Sequence, residues 1–366
     1  MIFINVFYGT YFVCENDNIK IFKEKDILEA YIQNKNIIIN NSDSLSKIDN
    51  ILDIRIFNWL IDNYCYYNYL CEIKDDINLK NMKFLFKKQK KYIILNSSFI
   101  RKAIEYTNYY KVVNKLFNID NKINRIYYYK LLEEQRLKLD VMKKLNQSFN
   151  EELNISNILK IKYSFINKIG RIYPNNMIIQ ILDRKKHIEL FKLDKNKEYY
   201  LIDFTNFYSS FLYLYTQNEI YINPKFYNIY AKKYNISRDH FKGCFLSWLN
   251  GAGQKTLNNF LTIFNSEFED IIRLKSTIKN FKFTNIFGHN VYFEKDYCKI
   301  GTLLQSTADD FLLRFYKQCY DRYYNIESID FIFNLFDEFF IGIDKKYNIN
   351  DLFSFVKIIN FNIERY

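Results

Sequence analysis

Residues 331–343 read FIFNLFDEFFIGI, and in this stretch an acidic pair, Asp337 and Glu338, divides two apolar runs. Short apolar runs rich in Phe and Ile, broken by a polar pair, are typical of two strands joined by a turn. The pattern predicts a β-hairpin with both acids at or near its turn. Taken alone, the stretch is also consistent with a polar surface turn that has no chemical role.

A second acid follows an apolar run in residues 199–208, YYLIDFTNFY. The run predicts a strand that ends at Asp203, and a carboxylate that closes a buried strand needs a cation or a hydrogen-bond partner. Acids at two neighbouring strand ends can share divalent metal ions, and a pair of such ions is common in nucleotidyl transfer. Mg²⁺ prefers carboxylate oxygens together with substrate phosphates. An ordinary surface turn is again the alternative.

The segment between these acids, 237–253, reads SRDHFKGCFLSWLNGAG and predicts a helix. Ser237 is a suitable N-cap, and either Gly251 or Gly253 is suited to end the helix. Arg238 and Lys242 lie one turn apart and suit a triphosphate, since Arg binds phosphate oxygens as a fork and Lys supplies a point charge. The alternative is an amphipathic helix with two surface cations.

The composition of the 366-residue chain narrows the class of protein. Hydrophobic residues make up 49% of it, which is too many for a disordered chain. The net charge is +12, and residues 82–168, with 19 Lys or Arg against 7 Asp or Glu, account for all of it. A basic stretch of this size favours a polyanion partner, most often nucleic acid, over a merely solvated helical surface.

Other features argue against several classes. The chain has no apolar run suited to a membrane span, and its first residues lack the basic start and cleavage site of a signal peptide. The six cysteines form no Cys-x-x-Cys pair and there are three histidines, which argues against a zinc site. We therefore expect reduced thiols and a cytoplasmic protein, with a phage-infected host cytoplasm or an organelle matrix as alternatives.

The remaining patterns divide the chain into three parts. Residues 1–80 predict a small α/β module, residues 82–168 predict mainly helix, and strands and helices mix again from Ile169 onward. The predicted strands of the module are 1–8, 10–14 and 36–40, its predicted helices are 26–33 and 56–70, and the clearest helix of the basic segment is 125–145.

The order of the acidic and basic motifs resembles that of the family A, DNA polymerase I-like, DNA polymerases. Their motif A is a strand that ends in Asp, their motif B is R-x-x-x-K-x-x-x-(F/Y)-G-x-x-Y-G, and their motif C is an apolar run followed by His-Asp-Glu. The sequence matches motif A at 201–211, motif B at Arg238, Lys242 and Gly251, and motif C at 334–343. Gly251 is nine residues after Lys242, as in family A, whereas family B has eight.

Three further segments extend the resemblance over about 166–366. Residues 283–293, FTNIFGHNVYF, resemble the family's V-x-T-x-x-G-R-R-R segment with a reduced basic run. Residues 169–176, IGRIYPNN, resemble the T-G-R motif that opens the palm. Residues 300–311, IGTLLQSTADDF, resemble the family's Q-(G/S)-x-x-A-D helix, with Gln305, Ser306, Ala308 and Asp309 in place.

The resemblance implies an α+β fold, namely a right-hand polymerase preceded by a small degenerate exonuclease-like α/β domain. The implied domains are the exonuclease-like module (1–81), a basic helical thumb (82–168), palm with motif A (169–212), fingers with motif B (213–295) and palm with motif C (296–366).

The resemblance also implies a template-directed DNA polymerase that transfers dNMP to a primer 3′-OH by a two-metal mechanism. Asp203 and Asp337 would hold two Mg²⁺ ions, or Mn²⁺ in their place, with the Phe204 carbonyl as a further ligand. Glu338 would be a further catalytic acid. The implied dNTP contacts are Arg238, Lys242 (also a proton donor), Tyr208, Leu246 and Phe204, and the implied primer–template contacts are Gln305, Arg171 and Asn250.

Several family positions differ in this chain and bear on fidelity and sugar discrimination. The family's Glu five residues after the motif A Asp is Tyr208 here, which could act as a steric gate under C2′ of the sugar. The other departures are Leu246, Ser247, Asn250 and Phe336. Two alternatives follow: a catalytically silent polymerase-like DNA-binding or replication-accessory protein, and an RNA-templated or ribonucleotide-tolerant polymerase.

The N-terminal module lacks the D-x-E acid pair that the family's 3′–5′ exonuclease carries on its first strand. We therefore expect no proofreading, with an unrelated accessory module as the alternative for 1–80. The basic segment would grip duplex product through phosphates, which makes binding strongly salt-dependent. We expect a monomer that binds primer–template DNA and dNTPs but no membrane, and the sequence leaves any replisome or processivity partner open.

Overall fold

The computed structural model describes residues 2–7, 10–16, 18–32, 37–39, 51–53, 56, 82, 85–90, 93, 100–117, 163–166, 171–174, 191, 193–279, 282–293, 295–335, 337–354, 356 and 361–365. The chain forms two compact units. The first comprises Met1–Val112, Phe165–Arg171 and Asn206–Lys317, and the second comprises Val113–Ser164, Ile172–Thr205 and Gln318–Tyr366.

Helices and strands mix along the described residues, so the fold is α+β. The helices are α1 (Lys25–Ile32), α2 (Ile100–Leu116), α3 (Phe207–Thr216), α4 (Phe226–Lys233), α5 (Arg238–Leu249), α6 (Gln254–Leu257), α7 (Phe260–Glu267), α8 (Glu269–Thr277), α9 (Lys299–Tyr323) and α10 (Ile349–Leu352). The strands are β1 (Ile2–Phe7), β2 (Thr10–Glu15), β3 (Asn18–Phe22), β4 (Ile37–Ile39), β5 (Ile51–Asp53), β6 (Tyr163–Ile166), β7 (Arg171–Pro174), β8 (Lys197–Phe204), β9 (Lys282–Thr284), β10 (Asn290–Tyr292), β11 (Ile329–Leu335), β12 (Glu338–Asp344) and β13 (Phe361–Arg365). Within the described ranges, no helix combines the length and the apolar character that a membrane span requires.

A five-stranded mixed sheet in the order β3-β2-β1-β4-β5 forms the start of the first unit. β1 pairs antiparallel with β2 and parallel with β4. Alternate residues of β1, Ile2 and Ile4, are buried in one core with Leu28 and Ile32 of α1. The helix therefore covers the apolar face that the strand periodicity creates.

The N-terminal sequence predictions are confirmed where the structure describes them. Strands at 1–8, 10–14 and 36–40 correspond to β1, β2 and β4, and the helix at 26–33 corresponds to α1. β3 and β5 were not predicted, because β3 buries none of its side chains and β5 has only three residues. The predicted helix at 56–70 lies outside the described residues apart from Ile56.

An aromatic core holds the helices of the first unit together. The Phe245 ring lies at the centre of this core, with its centroid 5.2 Å from that of Phe226 and 5.0 Å from that of Phe268. Phe241, one turn earlier on α5, meets Phe264 edge to face at 5.7 Å. The two rings lie on the same face of α5 because they are four residues apart, and both are fully buried. Aromatic packing therefore fixes which face of the helix points to the core.

A four-stranded antiparallel sheet in the order β11-β12-β8-β13 forms the core of the second unit. The hairpin predicted at 331–343 is present as β11 and β12, with Asp337 in the turn and Glu338 opening β12. Residues 338–343 of β12 are all buried, so this strand lies in the interior of the sheet. The strand predicted to end at Asp203 continues one residue further, to Phe204.

The basic segment 82–168 is helical at α2, but its end is not helical. Tyr163–Ile166 forms strand β6, which pairs with β7, so these four residues are an exception within a segment predicted to be mainly helical. The four residues YSFI are aromatic or β-branched apart from one Ser, which favours a strand once a partner is present. Residues 118–162, including the helix predicted at 125–145, lie outside the described residues.

Gly342 provides a test of how tightly the sheet of the second unit packs. It pairs with Tyr199 across β12 and β8, and a Cβ atom at Gly342 would lie 2.5 Å from Cε1 of the Tyr199 ring. The ring is held in place, because its hydroxyl accepts a hydrogen bond of 2.6 Å from the Asp194 amide and it stacks on Phe340. We expect Gly342→Ala to lower the free energy of unfolding by about 1–3 kcal/mol, the usual cost of overpacking.

Chemical denaturation of the two proteins measures this difference. In a Tyr199→Ala background the same glycine substitution should cost much less, since the ring that the new methyl group meets is gone. An equal cost in both backgrounds would contradict the packing explanation.

Candidate active site

The acids predicted from the sequence come together at one end of the β8–β12 pair. The register places Asp203 directly opposite Glu338, and the Phe204 amide donates a hydrogen bond of 3.0 Å to the carbonyl oxygen of Asp337. Directly opposite residues of an antiparallel pair project from the same face of the sheet, so Asp203 and Glu338 share a face. Asn362 of β13 pairs with Asp203 from the other side and was not predicted, because pairing between distant segments leaves no local signal.

The three acids differ in exposure. Glu338 is 5% exposed, whereas Asp203 and Asp337 are half-buried. Carboxylates at the same end of a strand pair repel one another unless a cation balances their charge. Their oxygens are the donors that Mg²⁺ prefers, and Mg²⁺ commonly binds through one or two carboxylates together with substrate phosphates. The residues therefore fit a magnesium site completed by substrate.

The protein side chains alone do not form a complete metal cage. Among the residues that the structure describes, no group of three or more His, Cys, Asp or Glu side chains is arranged to hold a metal ion. A metal ion bound by two aspartates would therefore need further oxygen ligands, such as waters or substrate phosphates.

Helix α5 carries the two predicted triphosphate ligands. The Ser237 side chain accepts a hydrogen bond of 3.2 Å from the His240 amide, which confirms the predicted N-cap. The helix ends at Leu249, and Gly251 follows with a φ of 86°, in the left-handed region that favours glycine. Arg238 is exposed and Lys242 is half-buried.

A pocket in the first unit brings four predicted site residues together. Its volume is about 220 Å³, and α3, α5 and α9 all contribute to its wall. The predicted residues in the wall are Tyr208, Leu246, Asn250 and Gln305, and the residues that sequence reasoning missed are Leu249, Gly301 and Leu304. The wall thus combines three leucines and a glycine with two side-chain amides and one phenol.

Gly301 lets α9 approach the end of α5. A Cβ atom at this position would lie 2.2 Å from Oδ1 and 3.1 Å from Cα of Asn250, so both the side chain and the backbone of Asn250 are in the way. The side-chain nitrogen of Asn250, Nδ2, in turn donates a hydrogen bond of 2.8 Å to the Leu246 carbonyl oxygen. The scarcity of glycine, with eight in the whole chain, was the available signal for such a position.

A buried polar network joins two segments that the sequence analysis singled out separately. Asp310 of α9 is fully buried, and its Oδ2 accepts a hydrogen bond of 2.5 Å from the Asn285 side chain. Nδ1 of His289 lies 3.1 Å from the same oxygen and 3.2 Å from Oγ of Ser306. The network fixes the β9–β10 hairpin on α9, the helix that carries Gln305.

Two other predicted positions have no described side chain. Arg171 lies in β7, but its side chain is outside the described residues, as is the whole of Phe336. On β1, Asn5 is buried and exchanges hydrogen bonds of 3.2 and 2.8 Å with the Gln89 side chain. This neutral amide pair links the first strand to residue 89.

Comparison with known proteins identifies the fold. No family model matches the sequence, and no curated protein matches it. Among solved structures, the chain is similar to the POL domain of Pol1 from M. smegmatis, a structure in complex with DNA primer-template and dNTP. The similarity has a TM-score of 0.66 and 8% sequence identity, and it covers 98% of this chain and 92% of that chain. At this identity it shows the fold alone, which is that of a DNA polymerase domain.

Gly301 and Gly243 form a matched pair for testing the α5–α9 contact. Gly301→Ala forces the new methyl group against Asn250, and we expect the free energy of unfolding to fall by about 1–3 kcal/mol. Gly243 lies in the middle of α5, and a Cβ atom there would meet no described atom within 4 Å. Gly243→Ala should therefore raise the free energy of unfolding by about 0.5–1 kcal/mol. Thermal denaturation of both variants measures the two effects, and a Gly301→Ala protein as stable as the parent would contradict the contact.

Proposed function

We propose that this chain is a template-directed DNA polymerase of the family A type, which transfers dNMP from a dNTP to the 3′-OH of a primer. The observation that carries the proposal is the β8–β12 register, which brings Asp203, Asp337 and Glu338 together in a chain with a DNA polymerase fold. The proposed layout is a palm, fingers and thumb after a degenerate exonuclease-like module, acting as a monomer without proofreading.

In this proposal the acids hold two Mg²⁺ ions, for which Mn²⁺ could substitute. Asp203 and Asp337 are the ligands, with the Phe204 carbonyl as a third oxygen donor. When bound, the ions would lower the pKa of the attacking hydroxyl and balance charge on the phosphate. Buried Glu338, on the same face as Asp203, supports the site beside the primer end.

The cations of α5 bind the triphosphate in the proposed reaction. Arg238 forks onto phosphate oxygens, and Lys242 contributes a point charge and passes a proton to the leaving pyrophosphate. The bond from the primer oxygen to the α-phosphorus forms as the bond from that phosphorus to the bridging oxygen breaks. The cations stabilise the charge that develops on this oxygen.

The pocket lined by Tyr208 and Leu246 holds the sugar and base of the nucleotide in this proposal. Tyr208 is proposed to exclude a 2′-hydroxyl and Leu246 to offer an apolar contact, and both residues line the pocket. Asn250 and Gln305, in the pocket wall, supply amide groups that suit base edges of the primer–template. Arg171 is assigned a backbone phosphate of the same ligand.

The acids are tested by primer extension with a labelled primer–template, Mg²⁺ and four dNTPs. We expect Asp203→Ala and Asp337→Ala each to lower the extension rate by at least about 100-fold, because loss of charge stabilisation at a reacting group has that scale. DNA affinity, measured by fluorescence anisotropy, should stay nearly unchanged. Asp344→Ala is the matched control, since it removes the same charge at the far end of β12 and should extend normally.

Two outcomes would overturn parts of the proposal. Normal extension by either acidic variant would contradict the metal assignment. If the parent protein binds the primer–template but extends it with neither a DNA nor an RNA template, a catalytically silent polymerase-like DNA-binding protein is the better description.

The sugar gate gives a separate prediction. Tyr208→Ala should raise incorporation of rNTP relative to dNTP by roughly tenfold or more, the scale on which pocket shape discriminates small groups. Tyr213→Ala is the control, since Tyr213 lies on the same helix but is not among the residues of the pocket. Steady-state incorporation of single nucleotides provides the ratio, and an unchanged ratio in Tyr208→Ala would exclude the gate.

A further inference from the structure

The cations of α5 share one aromatic ring, that of Tyr227 on α4. The Arg238 guanidinium carbon lies 5.9 Å and the Lys242 ammonium nitrogen 5.7 Å from the centroid of the Tyr227 ring. Both distances are within the range in which a cation is attracted to the electron-rich face of an aromatic ring. The three residues thus form an Arg–Tyr–Lys cluster that draws on two helices.

The Tyr227 ring is held rigidly by the aromatic core. Tyr227 is 2% exposed, and its ring lies 5.0 Å from Phe226 and 6.3 Å from Phe245. The Phe241 ring, between the two cations in sequence, packs at 6.4 Å from the same ring. A buried ring with these neighbours loses little further freedom when a cation contacts it, so it is a fixed support for the flexible cationic side chains.

The two cations repel each other and have no strong carboxylate partner among the residues that the structure describes. Residues four apart on a helix are neighbours, so like charges there are destabilising. Within the described residues, Arg238 pairs only with Asp239, at 3.0 Å, and the Asp239 side chain is 90% exposed, which makes the pair weak. Lys242 makes no carboxylate contact in the same part of the chain. The Tyr227 face offsets part of the repulsion without cancelling the positive charge.

A second cation on α4 shows the contrast. Lys233 lies 5.8 Å from the Tyr230 ring and 5.6 Å from the Tyr234 ring, but it is also paired with Glu267 at 2.6 Å. The ion pair lowers the pKa of the Glu267 carboxyl, so Lys233 is neutralised by a charged partner. Lys233 therefore combines its ring contacts with an ion pair that balances its charge. The cluster at Tyr227 has similar ring contacts but keeps its positive charge.

We infer that Tyr227 is a positioning residue that holds Arg238 and Lys242 side by side as a binding site for a polyphosphate. The identification of that polyphosphate as the triphosphate of a nucleotide rests on the proposed polymerase function, but polyphosphate binding does not. Tyr227 acts through the two cations, because a 2% exposed side chain offers almost no surface to the ligand itself.

The test measures binding of inorganic tripolyphosphate to the full chain by calorimetry, without DNA. Tyr227→Leu keeps an apolar side chain but removes the ring face, and it should weaken binding by roughly three- to tenfold, the loss expected for one or two cation–π contacts. Tyr227→Phe keeps the ring and should bind like the parent. Tyr230→Leu is the matched control, since it removes a ring from the same helix that supports Lys233 instead, and it should also bind like the parent.

The variants separate this inference from the proposed function. Parent-like affinity in Tyr227→Leu would overturn the role of Tyr227 and leave the polymerase proposal to primer extension. If Arg238→Gln/Lys242→Gln binds tripolyphosphate as tightly as the parent, the polyphosphate site itself is wrong and the role of Tyr227 falls with it. In that double variant, adding Tyr227→Leu should have no further effect, because the ring then has no cation to position.

A measurement on the parent fold covers the case in which Tyr227→Leu does not fold. After reductive ¹³C-methylation of lysines, the Lys242 signal, assigned by its loss in Lys242→Arg, should show an upfield ring-current shift from the Tyr227 face. A Lys242 signal at the position of freely exposed lysines would overturn the inference.

Discussion

The antiparallel register between β8 and β12 is the constraint on which the acidic site depends. Because side chains alternate with a period of two, a slip of one residue would turn Glu338 to the opposite face from Asp203. Burial on both faces protects the register: residues 338–343 of β12 are all buried, so a slip would force each side chain into a space that is packed for its neighbour. The irregularity of the sheet is on the other side, where the pairing of β11 with β12 shifts between Phe331 and Phe333. The strand pair that carries the acids is therefore regular.

Helix α5 combines a generic core with specific contacts. Its inward face, through Phe241 and Phe245, needs only aromatic volume, and neighbouring helices supply it in abundance. The cationic side and the end of the helix each depend on one particular residue of a neighbouring helix. The cations depend on one ring of α4, and the end of the helix depends on a glycine of α9 for its approach. The aromatic face thus attaches α5 to the core, and the contacts with Tyr227 and Gly301 set the position of its cations and of its end.

Local signals in the sequence were sufficient for the hairpin, for the strand that leads to Asp203 and for α5 with its Ser237 cap, since periodicity and capping act over a few residues. They also selected four of the residues around the pocket, although the roles of those residues remain predictions. Strand β13, the partner of β8, could not be predicted, because its pairing joins segments more than 150 residues apart. The Asp310 network was missed for the same reason, since Asn285, His289 and Asp310 become neighbours only after the hairpin packs on α9.

The contact between Gly301 and Asn250 has an evolutionary consequence. Every amino acid other than glycine carries a Cβ atom, so every substitution at position 301 places an atom against Asn250. No single substitution there is therefore expected to leave stability unchanged. A lineage can leave glycine here only by first altering residue 250, or by moving α9 away from the end of α5. In diverged relatives the two positions should therefore change together, and this covariation can be traced even where the overall sequence has lost all recognisable similarity.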